Sequence, residues 1–142
     1  MSAPVPTDLR SQLLRDEGLR LKPYRDSVGK LTIGCGRNLD DVGIGMDEAN
    51  LLLTNDIQRA RAAVLARIPG SQALDEIRQA VLVNLCFNVG IAGLLKFTKF
   101  LAAVAAAQWD QAAIEMLDSR WRTQVGLRAE RLADQMRSGE WR

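Results

Sequence analysis

The chain contains no histidine, and that absence removes more chemistry than any other feature of its composition. Without an imidazole there is no Ser-His-Asp or Cys-His relay, and most zinc sites lose a ligand they depend on, so no metal site is expected. Cysteine is scarce too. Cys35 and Cys86 have no close cysteine neighbour and no histidine partner, so both read as small buried apolar residues. A disulfide between them needs a geometry that spacing alone does not supply. Aromatic residues make up 5% and proline occupies four positions, which argues against both a disordered chain and a strand-dense sandwich. Lysine occurs only at Lys22, Lys30, Lys96 and Lys99, and the formal net charge is +2, too mild to point to nucleic acid. Met1 to Leu9 has no basic-then-apolar leader, and the uncharged run Ala80 to Leu95 is broken by Asn84, Asn88, Gly90 and Gly93. That run falls short of the ~20 apolar residues of a spanning helix, so no signal peptide and no membrane insertion are expected.

What remains is a chain of 142 residues, rich in alanine, leucine and arginine and 47% apolar, as suits one helix-dominated domain. Thr7 can cap a first helix carrying Leu9, Leu13 and Leu14, with Gly18 as its stop, which leaves Glu17 at the C-terminal end. From Leu19 to Gly36 the pattern shortens and alternates. The spacing predicts a hairpin, Tyr24 to Asp26 turning through Ser27-Val28-Gly29 into Leu31 to Cys35, with Leu31, Ile33 and Cys35 on one face. Arg37 to Gly45 reads as an irregular loop. Asp47 caps a long helix to about Arg67 that carries Leu51, Leu52, Ile57, Val64 and Leu65 and is ended by Pro69-Gly70. An apolar helix from about Leu74 to Val89 reads as a buried central element, followed by helices over Thr98 to Gln108, Trp109 to Asp118 and Leu127 to Arg137. The fold class is α+β, with a small sheet segregated near the N-terminus.

With no histidine, acid and base work falls to carboxylates, Tyr24, lysine or the cysteines. Glu17 closes a helix, Asp26 leaves the first strand and Thr32 sits in the second, so three structural pieces can converge. Glycoside hydrolysis needs a protonated carboxyl for the leaving oxygen and a second carboxylate for the attacking water or the oxocarbenium-like charge. Partial burial at a helix C-terminus, where the macrodipole is negative, suits Glu17 to the acid role. Asp26, in a polar turn, suits the ionised role, and Thr32 can help hold a water beside it. Two carboxylates at such a spacing are common in any chain, so this arrangement alone is a weak sign. Trp109, Trp121 and Trp141 can be sugar platforms but more often pack at helix boundaries. Tyr24 can simply cover the hairpin. Gly34 and Gly36 flank a strand with no Lys-Ser/Thr step and no following helix, which argues against a nucleotide loop.

The run Leu14 to Gly36, LRDEGLRLKPYRDSVGKLTIGCG, resembles the catalytic signature of the phage-type lysozymes, glycoside hydrolase family 24. Asp16, Glu17, Gly18, Tyr24, Asp26, Thr32, Ile33, Gly34 and Gly36 match that signature in order and spacing. A second block, Asn84 to Gly90 with Phe97-Thr98, Trp109-Asp110, Ser119-Arg120-Trp121, Arg128-Ala129 and Gly139-Glu140-Trp141, is similar to the family's helical lobe. The resemblance implies a two-lobed fold over residues 1–142: a sheet lobe at about 19–46, a linking helix at about 47–67, and a helical lobe from 1–18 and 68–142. It implies Glu17 as general acid, Asp26 and Thr32 holding the hydrolytic water, and an inverting mechanism with carboxyl groups ~6.5 to 9.5 Å apart. It further implies substrate contacts from Phe87, Asn88 and Arg120, and a supporting role for Arg128 as the partner that keeps the acid ionised in the free enzyme. Two positions depart from the family: Arg37 stands where a familiar member has histidine, and Asn88 where it has a longer glutamine.

The activity so implied is that of an endolysin muramidase cleaving the β-1,4 bond between N-acetylmuramic acid and N-acetylglucosamine in peptidoglycan. It would act as a monomer without a cofactor, accumulating in the host bacterial cytoplasm and reaching the wall through a holin. A lytic transglycosylase also uses one glutamate, but Asp26 and Thr32, which furnish a water, argue against it. A non-enzymatic wall-binding helical module would act through the arginines between Arg120 and Arg142, which suit an anionic polymer or are an ordinary solvated face. Loss of the acid at position 17 would leave that activity untouched.

Overall fold

The computed structural model describes residues 4–142, so the first three residues of the expected single domain lie outside the described ones. In chain order its elements are α1 (Leu9–Glu17), β1 (Arg20–Arg25), β2 (Leu31–Gly34), β3 (Arg37–Asn38), α2 (Met46–Arg67), α3 (Glu76–Leu94), α4 (Thr98–Ala105), α5 (Trp109–Leu117), α6 (Arg120–Val125) and α7 (Leu127–Ser138). A short 3-10 turn, Ser71–Ala73, precedes α3. This is the α+β class the sequence predicts. The chain divides into two compact units between Leu51 and Leu52, inside α2.

In the first unit, α1 starts one residue later than expected because Asp8, not Thr7, caps it. The Ser11 backbone N–H donates to Asp8 Oδ1 at 2.7 Å and the Asp8 N–H donates back to Ser11 Oγ at 3.3 Å, a reciprocal box that satisfies donors no helical carbonyl can reach. Gly18 ends the helix as expected, and none of the α1 residues is buried. The sheet runs β1-β2-β3, all antiparallel. β1 begins at Arg20, earlier than the hairpin predicts. Pro23 is tolerated because β1 is an edge strand and its register slips between Arg20 and Tyr24. Arg37–Asn38, expected as irregular loop, pairs instead with Ile33 and Thr32 as a third strand. The face carrying Leu31 and Ile33 is not the more buried one. Thr32 is the buried member of β2, Leu31 and Ile33 are half-buried, and Cys35 is exposed rather than buried.

The segment after β3 is tied down by polar contacts. The Leu31 N–H donates to Asp40 Oδ2 at 2.8 Å, Lys30 Nζ pairs with Asp41 at 3.0 Å, and Asn38 and Asp41 bond reciprocally. Arg37 Nη1 donates to the Gly43 carbonyl at 3.1 Å and to Glu48 Oε1 at 2.9 Å, and that oxygen also accepts the Gly45 N–H at 3.0 Å. Glu48 thus steadies the start of α2, while Asp47, the expected cap, lies within the first turn. The Arg37 hydrogen bond, then the Gly45 N–H, hold the Glu48 carboxyl below the ordinary glutamate range.

In the second unit the core is aliphatic and small-residue rich. Ala60 and Val64 are the buried residues of α2, whereas Leu52 and Leu65, assigned to its apolar pattern, are exposed and Ile57 is half-buried; Leu51, in the first unit, is exposed too. α3 is the buried central element expected, contributing Val81, Leu82, Val83, Leu85, Cys86 and Leu94. Its regular turns end at Val89, as expected, because Gly90 adopts φ 75°, ψ 165°, a conformation open essentially to glycine, and a second short helical stretch follows this kink to Leu94. Counted through that kink, its 19 residues, with a mean hydropathy of 1.5, have the length and composition of a membrane-crossing helix, but the kink falls at Gly90, one of the interruptions seen in the sequence. Here those apolar residues serve as core. α3 packs on α7, α7 on α5 and α6, and α5 on α4. The helix α6 was not anticipated. Trp121 within it is buried, Trp109 is half-buried beneath the Arg78 guanidinium at 4.3 Å, and Trp141 is exposed rather than packed.

Candidate active site

The three residues expected to carry the chemistry, Glu17, Asp26 and Thr32, all lie in the first unit. Asp26 follows β1 and builds the turn into β2. Its Oδ1 accepts the Val28 N–H at 3.0 Å and the Lys30 N–H at 2.8 Å, while its backbone N–H donates to the Lys30 carbonyl at 2.9 Å. Asp26 Oδ2 accepts no protein hydrogen bond among the described residues, so one oxygen shapes the turn and the other is open. Thr32, 3% exposed, sits opposite Tyr24 in the ladder, and its hydroxyl donates to the same Lys30 carbonyl at 3.0 Å. With its proton committed there, the Thr32 oxygen can only accept from a further partner. Asp26 and Thr32 therefore converge on one backbone oxygen. Sequence reasoning missed Lys30 as the point where the two meet, because it takes part through its carbonyl and no side-chain pattern reports that.

Glu17 is the last residue of α1. It is exposed, where partial burial was expected. Its side chain runs along Gly36, in the turn between β2 and β3: a Cβ built on Gly36 would lie 3.4 Å from Glu17 Oε2 and 3.7 Å from Cδ. The same turn is fastened to α1 by the Cys35 thiol, which donates to the Leu13 carbonyl at 3.4 Å. Tyr24, half-buried, lies under the Arg20 guanidinium at 4.3 Å, so it covers the hairpin as its bland reading predicts. Arg37, at the position where a familiar relative has histidine, is engaged with Glu48 and Gly43.

The residues expected to contact substrate lie in the second unit. Phe87 is 47% exposed and borders a groove of about 340 Å3 with Leu53, Ile57, Arg61, Asn84 and Arg128. Arg128 donates to Asn84 Oδ1 through Nε at 3.1 Å and Nη2 at 2.6 Å, which fixes its guanidinium on α3. Asn88 is held too, its Oδ1 accepting the buried Trp121 indole N–H at 2.7 Å, leaving its amide N–H groups outward. Arg120 is exposed, with no ion pair among the described residues. No group of three or more cysteine and acidic residues that could hold a metal ion occurs among the described residues.

The family described as Phage lysozyme matches residues 15–137 of this chain. The chain is 31% identical over 162 aligned residues to the "Pre-baseplate central spike protein Gp5" of Enterobacteria phage T4, covering 90% of this chain but only 28% of that protein. It is 26% identical to "Probable T4-type lysozyme 2" of Dictyostelium discoideum, across 94% of this chain and 95% of that one. The "Endolysin" of Salmonella phage P22 is 36% identical over 90 residues, 56% of this chain and 59% of that protein.

Proposed function

This chain belongs to the phage lysozyme family, and from that premise we propose that it is a glycosidase hydrolysing bacterial peptidoglycan, with Glu17 as general acid and Asp26 and Thr32 holding the attacking water. The observation that carries the reading is the shared anchor of Asp26 and Thr32 on the Lys30 carbonyl. A water placed between them donates one proton to the Thr32 oxygen, which has already spent its own, and the other to Asp26 Oδ2. Its lone pair is then free to attack.

The bond cleaved is the β-1,4 link between N-acetylmuramic acid and N-acetylglucosamine. Glu17 gives its proton to the glycosidic oxygen as the bond from the anomeric carbon to that oxygen breaks. The water oxygen forms the new bond on the opposite face, and Asp26 takes up the proton that the water loses, so the configuration inverts. Phe87, Asn88 and Arg120 supply contacts to the glycan or its stem peptide.

The test is clearing of purified peptidoglycan by wild type and by Glu17→Gln, with mass spectrometry of the released fragments. Reducing muramic ends that vanish in the variant are expected. Anhydro-muramic ends would replace hydrolysis by transglycosylation, and equal inactivity with retained wall binding in both proteins would replace the enzyme by a binding module.

A further inference from the structure

Gly34 and Gly36 flank Cys35 and both have a positive φ, 69° and 76°, yet their surroundings differ. A Cβ on Gly34 would meet nothing within 4 Å, whereas on Gly36 its three nearest atoms would all belong to Glu17, at 3.4 Å from Oε2, 3.7 Å from Cδ and 3.8 Å from Cγ. The bare Cα of Gly36 is thus the surface along which the glutamate lies. Its position relative to α1 is set by the Cys35 thiol on the Leu13 carbonyl, one turn before Glu17.

We propose that Gly36 is a positioning residue for the acid: it seats the Glu17 carboxyl in one orientation while leaving Oε2 uncovered for the incoming glycosidic oxygen. This rests on the assignment of Glu17 made above. A methyl group here lies at ordinary van der Waals distance from Glu17, while the positive φ costs any residue but glycine a backbone penalty. Beyond that penalty, its effect is to cover the reacting oxygen or to rotate the carboxyl away. Because the loss falls on the proton-transfer step, it appears in kcat with KM nearly unchanged.

Gly34 supplies the control, since alanine there meets a similar backbone penalty without touching Glu17. Steady-state hydrolysis of solubilised peptidoglycan fragments is measured for wild type, Gly36→Ala, Gly34→Ala and Glu17→Gln, with thermal unfolding of each. Asparagine, which tolerates positive φ better, is placed at both glycines as a second pair in case either alanine variant fails to fold. Misplacement of a reacting group by a fraction of an ångström costs on the order of tenfold to a hundredfold in rate, so Gly36→Ala and Gly36→Asn are expected to lose about tenfold or more in kcat, and the Gly34 variants less than about twofold. Equal losses of kcat at the two glycines would overturn the inference while leaving Glu17 as the acid. Full activity in Glu17→Gln would remove both.

Discussion

Arg78 holds the second unit together in a way that can be broken with one substitution. Its side chain is only 15% exposed. From the first turns of α3 it donates through Nε to the Met136 carbonyl at 2.7 Å and through Nη2 to the Arg137 carbonyl at 3.0 Å, and its guanidinium lies over Trp109 at 4.3 Å. Both carbonyls belong to the last turn of α7, where no helical N–H reaches them and where a cation also meets the negative end of the macrodipole. Arg78→Met keeps the aliphatic stem and removes the rest. Two hydrogen bonds to a charged donor, taken at the low end because water can reach the freed carbonyls, contribute about 3 kcal/mol. The stack on Trp109 adds about 1 kcal/mol. The contact with Asp75, whose side chain is 45% exposed, is discounted to nothing. Loss of about 4 kcal/mol in a chain of this length lowers Tm by roughly 13 °C, at an unfolding entropy of about 0.3 kcal/mol/K. Thermal unfolding followed by circular dichroism reads this directly. Arg78→Lys, which retains the charge but not the planar fork, should recover less than half of it. A drop under about 3 °C in Arg78→Met, or full recovery by lysine, would refute the assignment. Gly139→Ala, whose Cβ would stand 3.0 Å from Arg78 Nη1, should cost less in the Arg78→Met background than in wild type.

Thr32→Val replaces the hydroxyl by a methyl of similar size at a buried site. It should reduce kcat by about a hundredfold or more while changing stability by about 1 kcal/mol, since the lost hydrogen bond to Lys30 is one of ordinary strength; normal activity would release Thr32 from the water site. The Glu48 carboxyl is lowered by the Arg37 hydrogen bond, so its stabilisation is fully present above the unfolded value of about 4.3 and is lost as pH falls through the folded value. Glu48→Gln should therefore show a shallower fall of Tm between pH 6 and pH 3 than wild type, and parallel curves would contradict the pairing. Cys35, exposed, should react with an aromatic disulfide reagent in the native protein, whereas burial both shields the Cys86 thiol and pushes its pKa up. Labelling of two thiols per chain before unfolding would exclude that difference.

The larger periodicities were readable because they arise from burial. α3 could be placed from its largely apolar run and α1 from the glycine that stops it, and both lie within two residues of their expected starts. Short elements were not readable. β3 has two residues and α6 has six, too few for any period to emerge, and β3 exists because β2 completes its hydrogen bonds. Boundary errors came from competition among similar side chains: Thr7 and Asp8 are both good caps, and the serine at Ser11 decides between them. Glu17, Asp26 and Thr32 were found through their side-chain types and the resemblance. What Asp26 and Thr32 share is a main-chain oxygen, and what seats Glu17 is the absence of a side chain. The first leaves no mark on a residue pattern, and the second shows only as Gly36, one glycine among several.

The anchoring of Asp26 and Thr32 on one carbonyl has a consequence for how such a site could be altered. The two groups ride on a single hairpin, so the backbone positions from which they project are set together. The carboxyl of Glu17 is joined to that hairpin through the chain at Gly18 and Leu19 and through the Cys35 thiol on the Leu13 carbonyl. The spacing of Glu17 from the hairpin is thus set by one two-residue joint and one thiol hydrogen bond. Lengthening or stiffening that joint would retune the spacing of acid and water while leaving the water's own cradle intact.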